Sequence, residues 1–159
     1  MRAKTVHHED IMTPESFDLP DPHYQPEFYA DVPLKRLISW AIDTVIIVLL
    51  VVLILPFTAF TGLFFLPLLG FVVNFAYRVI CLSNGSATLG MRLTAIEFRT
   101  GRGAPFTLSD ALLHTLGYTL SWMVPLAQFV SVIFMASQER GQGLTDMVLG
   151  SVALNRRAG

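Results

Sequence analysis

The chain has 159 residues and a formal net charge of −1; 53% of its residues are hydrophobic and only 14% are charged. Because about a quarter of the residues in a soluble domain are charged, this balance excludes an ordinary soluble fold and predicts an integral membrane protein. The basic residues are dispersed and mostly flank apolar segments, which excludes a nucleic-acid-binding surface.

Residues 1–32 are predicted to form a disordered, acidic, proline-containing tail in the cytoplasm. Seven of the first 33 residues are acidic, two are Lys or Arg, and five of the nine prolines lie in this stretch. Such a segment buries too little apolar surface to offset the entropy lost on ordering. No apolar stretch follows the basic start, so we expect the first membrane helix, rather than a cleaved signal peptide, to direct insertion.

A first membrane helix is predicted over Pro33–Leu55. Its last nineteen residues are apolar except for two hydroxyl side chains and Asp43; at about 1.5 Å per residue they span roughly 28 Å, the thickness of a bilayer core. An ionisable group at that depth costs a few kcal/mol. Asp43 therefore needs a partner or access to water.

A second span is predicted over Gly62–Leu82, so that the two helices form a hairpin, and we expect Pro67 to kink it. Basic residues gather at the end where the first helix begins, and the turn at the other end has none. These residues are Lys35, Arg36, Arg78, Arg92, Arg99 and Arg102. By the positive-inside rule the N-terminus is cytoplasmic, which suits a bacterial inner membrane.

The hairpin also predicts a partner for Asp43. Asp43 lies seven residues beyond Arg36 in the first helix. Counting a similar distance back from the cytoplasmic end of the second helix reaches Asn74 and Arg78, which share one helix face. We expect Asp43 to contact one of them. The contact is either a polar lock that fixes helix packing or part of an ion or proton site.

A small cytoplasmic β element is predicted after the hairpin. Gly85 is expected to end the second helix and Ser86 to cap a short turn. Leu93–Phe98 alternates like a strand, with Ala104–Thr107 as a returning strand. The Gly85–Gly90 spacing resembles a phosphate loop, but Met91 and Arg92 stand where Lys and Ser or Thr are required, so nucleotide binding is rejected.

A third helical segment is predicted over Leu108–Ser137, with Thr107 or Ser109 as its cap. Pro125 interrupts it, so the segment either re-enters on the cytoplasmic side or crosses the membrane once. A polar stripe recurs along its first half, which favours an amphipathic helix facing the lipid headgroups, with a proton relay as the alternative. The stripe consists of Asp110, His114, Tyr118 and Ser121.

The last predicted elements surround Asp146. This residue is expected to cap a short helix over Met147–Gly150 and to pair with a base at the cytoplasmic surface. Ser151–Asn155 is expected to add a strand to Leu93–Phe98. Residues 156–159 form a basic C-terminal end.

These residues together resemble the RDD family of small membrane proteins. The pattern is an arginine entering the first helix, an aspartate within that helix, and a late aspartate, here Arg36, Asp43 and Asp146. The glycine-rich signature G-x-[ST]-x-G-x-R is similar to Gly85–Arg92, and the late strand is similar to Gly150–Leu154. The resemblance covers residues 33–155. The family's usual lysine in the glycine motif is Met91 here, and its basic residue after the last aspartate is Met147.

The resemblance implies an all-α membrane protein with a helical hairpin, a third helical segment and a small β element. It also suggests transport of ions or small solutes as a hypothesis for the function. In that hypothesis Asp43 carries the charge, Arg36 with Asp146 gates or orients it, and Asn74, Arg78, Arg92 and His114 support them. The alternative is a non-catalytic membrane adaptor that docks a partner. No nucleophile–base pair, metal motif or cofactor fingerprint is recognisable, so we expect no enzymatic activity and no cofactor. The expected partners are the lipid bilayer and either further copies of the chain or another membrane protein.

Overall fold

The structure is a computed structural model that describes residues 19–156. The predictions for residues 1–18 of the tail and for residues 157–159 of the basic end lie outside the described residues. Within residues 19–156 two helices are long and apolar enough to cross a membrane, and a bent helix pair would make a third span. The predicted class, a helical membrane fold with a small β element, is therefore confirmed.

The hairpin consists of α1 (Val32–Ile54) and α2 (Leu66–Ser83). With 23 and 18 residues, they are about 34 Å and 27 Å long. Two short 3-10 turns, Leu55–Thr58 and Thr61–Leu63, connect them. The prediction that Pro67 kinks the second helix is wrong, because Pro67 lies in its first turn. There a missing N–H costs no hydrogen bond and the fixed φ favours the helix.

The rest of the chain folds back toward the start of α1. It forms the short helix α3 (Leu89–Leu93), strand β1 (Ile96–Arg99), helices α4 (Leu108–Met123), α5 (Pro125–Ser137) and α6 (Leu144–Leu149), and strand β2 (Val152–Asn155).

Helices α4 and α5 are bent by 117° where Val124 separates them. After α5 the chain returns to α1: the position of a Cβ on Gly141 would be 3.4 Å from the Pro33 ring. The Leu144 N–H also donates to the Ser131 hydroxyl, 3.0 Å away, so α6 is tied to α5. The chain after the bent pair therefore lies near the start of α1, and whether the pair re-enters or crosses the membrane once stays a prediction.

The sheet has two antiparallel strands, β1 and β2, with Ile96 opposite Asn155 and Arg99 opposite Val152. The expected pairing of Ser151–Asn155 with the Leu93–Phe98 segment is confirmed. The predicted hairpin with Ala104–Thr107 is wrong: those residues form no strand, and the Phe106 N–H donates instead to the Ser86 hydroxyl at 2.7 Å. The sheet thus joins the end of the domain to its middle.

The closely packed core lies at this end of the molecule, beside the sheet. Its buried apolar side chains come from α1, α2, α3, α4, both strands and the loops that precede α3 and α4, and they are Val32, Leu82, Ala87, Met91, Ile96, Phe98, Phe106, Ala111 and Ala153. The distal halves of α1 and α2, which adjoin the turns that connect the two helices, instead expose large apolar side chains. Because a soluble protein rarely leaves such a continuous apolar surface uncovered, this is the surface that lipid covers.

Residues 19–31 pack against the domain instead of forming a free tail, so the predicted tail boundary at residue 32 is too late. The Tyr29 hydroxyl donates to the Pro20 carbonyl at 2.7 Å, and the Tyr29 ring is buried with Val152 and Leu154. The Asn155 amide donates to the Glu27 carbonyl at 2.8 Å. The count of acids and prolines predicted a disordered segment. It overlooked the apolar Leu19, Phe28 and Tyr29 side chains, which pack against the end of the domain.

Candidate functional site: two buried aspartates

Asp43 lies on the inner face of α1 and is only 2% exposed. Its Oδ1 accepts hydrogen bonds from the Tyr77 hydroxyl at 2.6 Å and from the Gly90 N–H at 2.8 Å. Its Oδ2 accepts one from the Thr88 hydroxyl at 2.6 Å. These are three neutral donors to an acceptor-only carboxylate, and they join α1 to α2 and to the start of α3.

The start of α3 is built to reach Asp43. Thr88 is its N-cap, since its hydroxyl accepts the Met91 N–H at 3.2 Å while also donating to the carboxylate. Gly90 lies against the backbone of α1: a Cβ there would overlap the Ser39 carbonyl oxygen and lie 2.9 Å from Asp43 Oδ1. Only glycine therefore allows the backbone N–H to come within bonding distance of the carboxylate.

The expectation that Asp43 contacts Asn74 or Arg78 is wrong. Asp43 is bonded to Tyr77 instead, one residue before Arg78 and about 100° around the helix. Arg78 donates through Nε to the Asn74 Oδ1 at 3.2 Å. Depth alone predicted the right turn of α2, but not which residue of that turn faces α1.

The predicted cap at Ser86 is also wrong, because Thr88 performs that role. Ser86 has a φ of +54°, and its hydroxyl accepts the Phe106 N–H instead. The glycine-rich signature contained the missing information. Its hydroxyl residue and its second glycine, Thr88 and Gly90, are two of the three donors to Asp43.

Asp146 forms a second buried centre, 1% exposed, in α6. Its Oδ2 pairs with Arg36 at 2.5 Å and accepts the Gly143 N–H at 3.0 Å. Its Oδ1 is 2.8 Å from Nε2 of His114 and accepts the Ser151 hydroxyl at 3.3 Å. The predicted pairing with a base is found, but Asp146 is not the N-cap: the helix begins at Leu144 with Gly143 as its N-cap, and Asp146 lies in the first turn, where its carboxylate accepts the Gly143 N–H.

Aromatic rings hold the two basic partners of Asp146 in place. The Arg36 guanidinium carbon lies 5.1 Å from the centre of the Phe98 ring, and Arg36 also donates to the Gly141 carbonyl at 3.1 Å. The His114 ring centroid lies 4.4 Å from that of Phe98. The centre therefore connects α1, α4, α6 and strand β1.

Two opposed effects act on the pKa of Asp146. Burial raises the pKa of this carboxyl, while the Arg36 charge, the contact with His114 and the Gly143 N–H lower it. The stabilising contacts outweigh burial, so the pKa lies well below the ordinary value of an aspartate. Asp146 is consequently an anion at neutral pH.

The polar stripe of α4 makes hydrogen bonds within the protein: His114 is buried, and Asp110, Tyr118 and Ser121 are partly buried. Asp110 completes a capping box with Thr107 at the helix start, which confirms Thr107 as the cap. His114 is 4% exposed and turned toward Asp146. Further along, the Tyr118 hydroxyl accepts from the Trp40 indole at 3.1 Å, and the Ser121 hydroxyl donates to Gln128 at 2.9 Å.

The two centres face one cavity. This inner cavity, about 290 Å³, lies among α1, α2, α4 and α5. Four of the predicted polar residues line it: Arg36, Asp43, Arg78 and His114. Asp146 supports the cavity from behind through its bonds to Arg36 and His114. Arg92 does not join it: that side chain is exposed and covers Gly85.

Sequence reasoning missed the two tryptophans that border the inner cavity. The indole rings of Trp40 and Trp122 stack with centroids 5.9 Å apart, and Tyr118 lies against Trp122 at 6.2 Å. All three line the inner cavity. Trp40 and Trp122 are far apart in the chain, and no local pattern indicates that they meet.

The family model described as "RDD family" matches residues 31–150. The chain belongs to the RDD family. No match was found among curated proteins or among solved structures. Within this RDD domain, the arginine and the two aspartates of the signature are all buried or nearly so, and two of them form one ion pair.

Proposed function

We propose that this RDD protein is a transport component that binds an ion or a small solute in the inner cavity. The supporting observation is the cavity itself, which gathers Arg36, Asp43, Arg78 and His114 between membrane-facing helices. Ionisable side chains are costly inside a membrane and typically mark solute or ion pathways. Four in one chamber are more than helix packing alone requires.

The proposed roles follow from the partners of each group. Asp43 is the acidic group of the cavity, held in one orientation by three donors. Arg36 and Asp146 form the support that fixes the cavity wall. The helices of one copy enclose only part of a path across the membrane. We therefore expect the protein to act as a homo-oligomer. We place it in a bacterial inner membrane with a cytoplasmic N-terminus, because the basic residues gather where α1 begins.

The experiment is ion flux into liposomes that contain the purified protein, under an imposed pH gradient. The Asp43→Asn variant is the test because Asn retains the shape of the side chain. Its oxygen can accept from Tyr77 and Gly90, and its amide can donate to Thr88. We expect the wild-type protein to give ion flux above that of empty liposomes, and we expect the flux of the Asp43→Asn variant to equal that of empty liposomes.

The matched control is Asp31→Asn. Asp31 is exposed, has a φ of +59° that asparagine adopts readily, and makes no capping hydrogen bond. It should retain full flux. Absence of flux from folded wild-type protein, or equal flux from Asp43→Asn, would contradict the proposal.

A membrane adaptor is the second candidate, and one observation favours it. Both carboxylate oxygens of Asp43 already accept hydrogen bonds from α2 and from the start of α3, as expected of a polar lock that fixes how α1, α2 and α3 pack. If the protein is an adaptor, the Asp43→Asn variant would keep the adaptor activity of the wild type in cells, because asparagine retains most of these hydrogen bonds. Deleting residues 2–18, which leaves the packed residues 19–31 intact, would instead abolish recovery of the partner by cross-linking. A transporter would tolerate this deletion.

A further inference from the structure

A second cavity lies beside the first, on the side of the distal halves of the hairpin. This outer cavity, about 340 Å³, lies between α1, α2 and α4. It shares Trp40, Arg78, Tyr118 and Trp122 with the inner cavity. Its volume is in the range typical of small-molecule sites.

Arg78 is the feature of this cavity that helix packing does not explain. The residue is only 9% exposed, yet within residues 19–156 no carboxylate pairs with it. Its guanidinium lies 4.0 Å from the centre of the Tyr118 ring, and Nε donates to Asn74. The Nη groups make no hydrogen bond to any part of the chain that the structure describes. Since a buried guanidinium has five donors to satisfy, these Nη groups are available to an anion.

The lining of the outer cavity changes from polar to apolar along the helices. Arg78, Asn74 and Thr44 form the polar end, on the side where α1 begins and α2 ends. Ile47, Val48 and Phe71 line the other end, deeper along the hairpin. Between Arg78 and Phe71 the helix rises about 10 Å. A small free anion would use only the first part of this cavity.

The apolar end opens toward the membrane-facing surface. Val48 is 55% exposed and Phe71 is 45% exposed. Arg78 lies five residues before the end of α2, or about 7 Å along the helix axis, which is close to headgroup depth. A phospholipid has the matching order of parts: an anionic phosphate at the surface and a hydrocarbon chain toward the centre of the bilayer.

We propose that the outer cavity is a binding site for an anionic phospholipid, with its phosphate on the Nη groups of Arg78 and an acyl chain along Ile47, Val48 and Phe71. Arginine binds phosphate through two parallel hydrogen bonds, and stacking on Tyr118 holds the guanidinium plane in position. The Trp40 and Trp122 rings form the wall at the headgroup level, where amphipathic rings are favoured. Arg78 lines both cavities, but lipid binding at this site requires no transport through the inner one.

The chain provides its own probe for this site. Trp40 and Trp122 are its only two tryptophans, and both line the outer cavity. Fluorescence of the whole protein therefore reports on the wall that the outer cavity shares with the inner one. The experiment reconstitutes the full chain in phosphatidylcholine vesicles and adds phosphatidylglycerol or further phosphatidylcholine, each with brominated chains that quench tryptophan on contact.

We expect the half-quenching mole fraction to be roughly fivefold lower for brominated phosphatidylglycerol than for brominated phosphatidylcholine, the factor expected for one basic residue against an anionic lipid. Arg78→Gln should remove this preference. Arg102→Gln, which removes an exposed arginine of the turn after β1, should retain it. Equal quenching by the two lipids, or a preference that Arg78→Gln retains, would overturn the proposal.

Two further measurements keep the test decisive. If Arg78→Gln does not fold, Arg78→Lys keeps the charge but not the paired donors or the stacking, and it should retain part of the preference; an unchanged preference would overturn the role of Arg78. Inorganic phosphate is added to wild-type protein at constant ionic strength. Loss of the preference there would assign the site to a free anion instead of a lipid.

Discussion

The two buried aspartates solve the same physical problem in different ways. Asp43 is bonded to two hydroxyls and a backbone N–H, whereas Asp146 is paired with Arg36 and bonded to His114. Asp43 lies midway along α1, one of the two helices long and apolar enough to span a membrane, and Asp146 lies in the packed end of the molecule. The comparison indicates that fixed neutral donors are used within the span and that full charge pairing is used beside the sheet.

The difference matters for stability because a buried charge pair and a set of neutral hydrogen bonds fail differently. Removing one member of a buried pair leaves an uncompensated charge, which is the most costly outcome. Removing or displacing one neutral donor leaves the remaining donors in place, and the cost is smaller. Variants of the two centres should therefore separate in magnitude.

The largest expected effect is that of Arg36→Met. The methionine keeps much of the apolar contact with Phe98 but leaves Asp146 without its cation, so we expect a loss of about 3–5 kcal/mol of folding free energy. The measurement is denaturant unfolding in mild detergent, monitored by circular dichroism. Arg102→Met, an exposed arginine, is the control and should change little. A cost below that of Gly90→Ala, the variant at the Asp43 centre, would show that the ion pair is not the dominant contact.

Gly90→Ala should have an intermediate effect, at the Asp43 centre. The new methyl group would overlap the Ser39 carbonyl and press on the Asp43 carboxylate, so α3 must move away from α1 at a cost of about 1–3 kcal/mol. Gly70→Ala is the matched control in α2, because a Cβ there meets nothing within 4 Å. It should leave stability unchanged or raise it by up to about 1 kcal/mol, the helix propensity of alanine over glycine. Equal stability of the two variants would mean that α3 does not depend on this close approach.

Much of the architecture was predictable because it depends on local patterns. The apolar lengths of α1 and α2, the interruption at Pro125 and the cap at Thr107 each come from a few neighbouring residues. The pairing of β1 with β2 was expected from the strand-like alternation of Leu93–Phe98 and a short strand at the end of the domain, but the false strand at Ala104–Thr107 had the same kind of signal. Ser86 provided the partner that turned that segment into a loop.

The candidate site was only partly predictable, because burial and side-chain direction are tertiary facts. The sequence indicated that Asp43 needs a partner and that Asp146 pairs with a base. It did not reveal that Tyr77 rather than Arg78 faces Asp43, since neighbouring residues of a helix differ by about 100° in direction. Nor did it reveal that Arg78 lacks an acidic partner among residues 19–156, which only the three-dimensional arrangement can establish.

The smallest expected effect is a loss of stability in acid, arising at the Asp146 centre. The folded-state pKa of Asp146 is lowered by Arg36 and His114, while the unfolded chain has an ordinary value of about 3.9. The unfolded state therefore takes up a proton first as pH falls, so the stabilisation is complete above about pH 5 and declines below about pH 4. By pH 3 the share due to Asp146 should have fallen by about 1 kcal/mol.

The check on this last effect is unfolding in detergent at several pH values between 6 and 3. Asp43→Asn keeps the Asp146 centre, so it should keep this share of the loss, whereas Arg36→Met should show less of it because the pKa of Asp146 returns toward its ordinary value. A wild-type stability that stays constant or rises toward pH 3 would contradict the lowered pKa. A loss that Arg36→Met retains in full would mean that other carboxylates cause it, and the comparison between the two centres would then rest on Arg36→Met and Gly90→Ala alone.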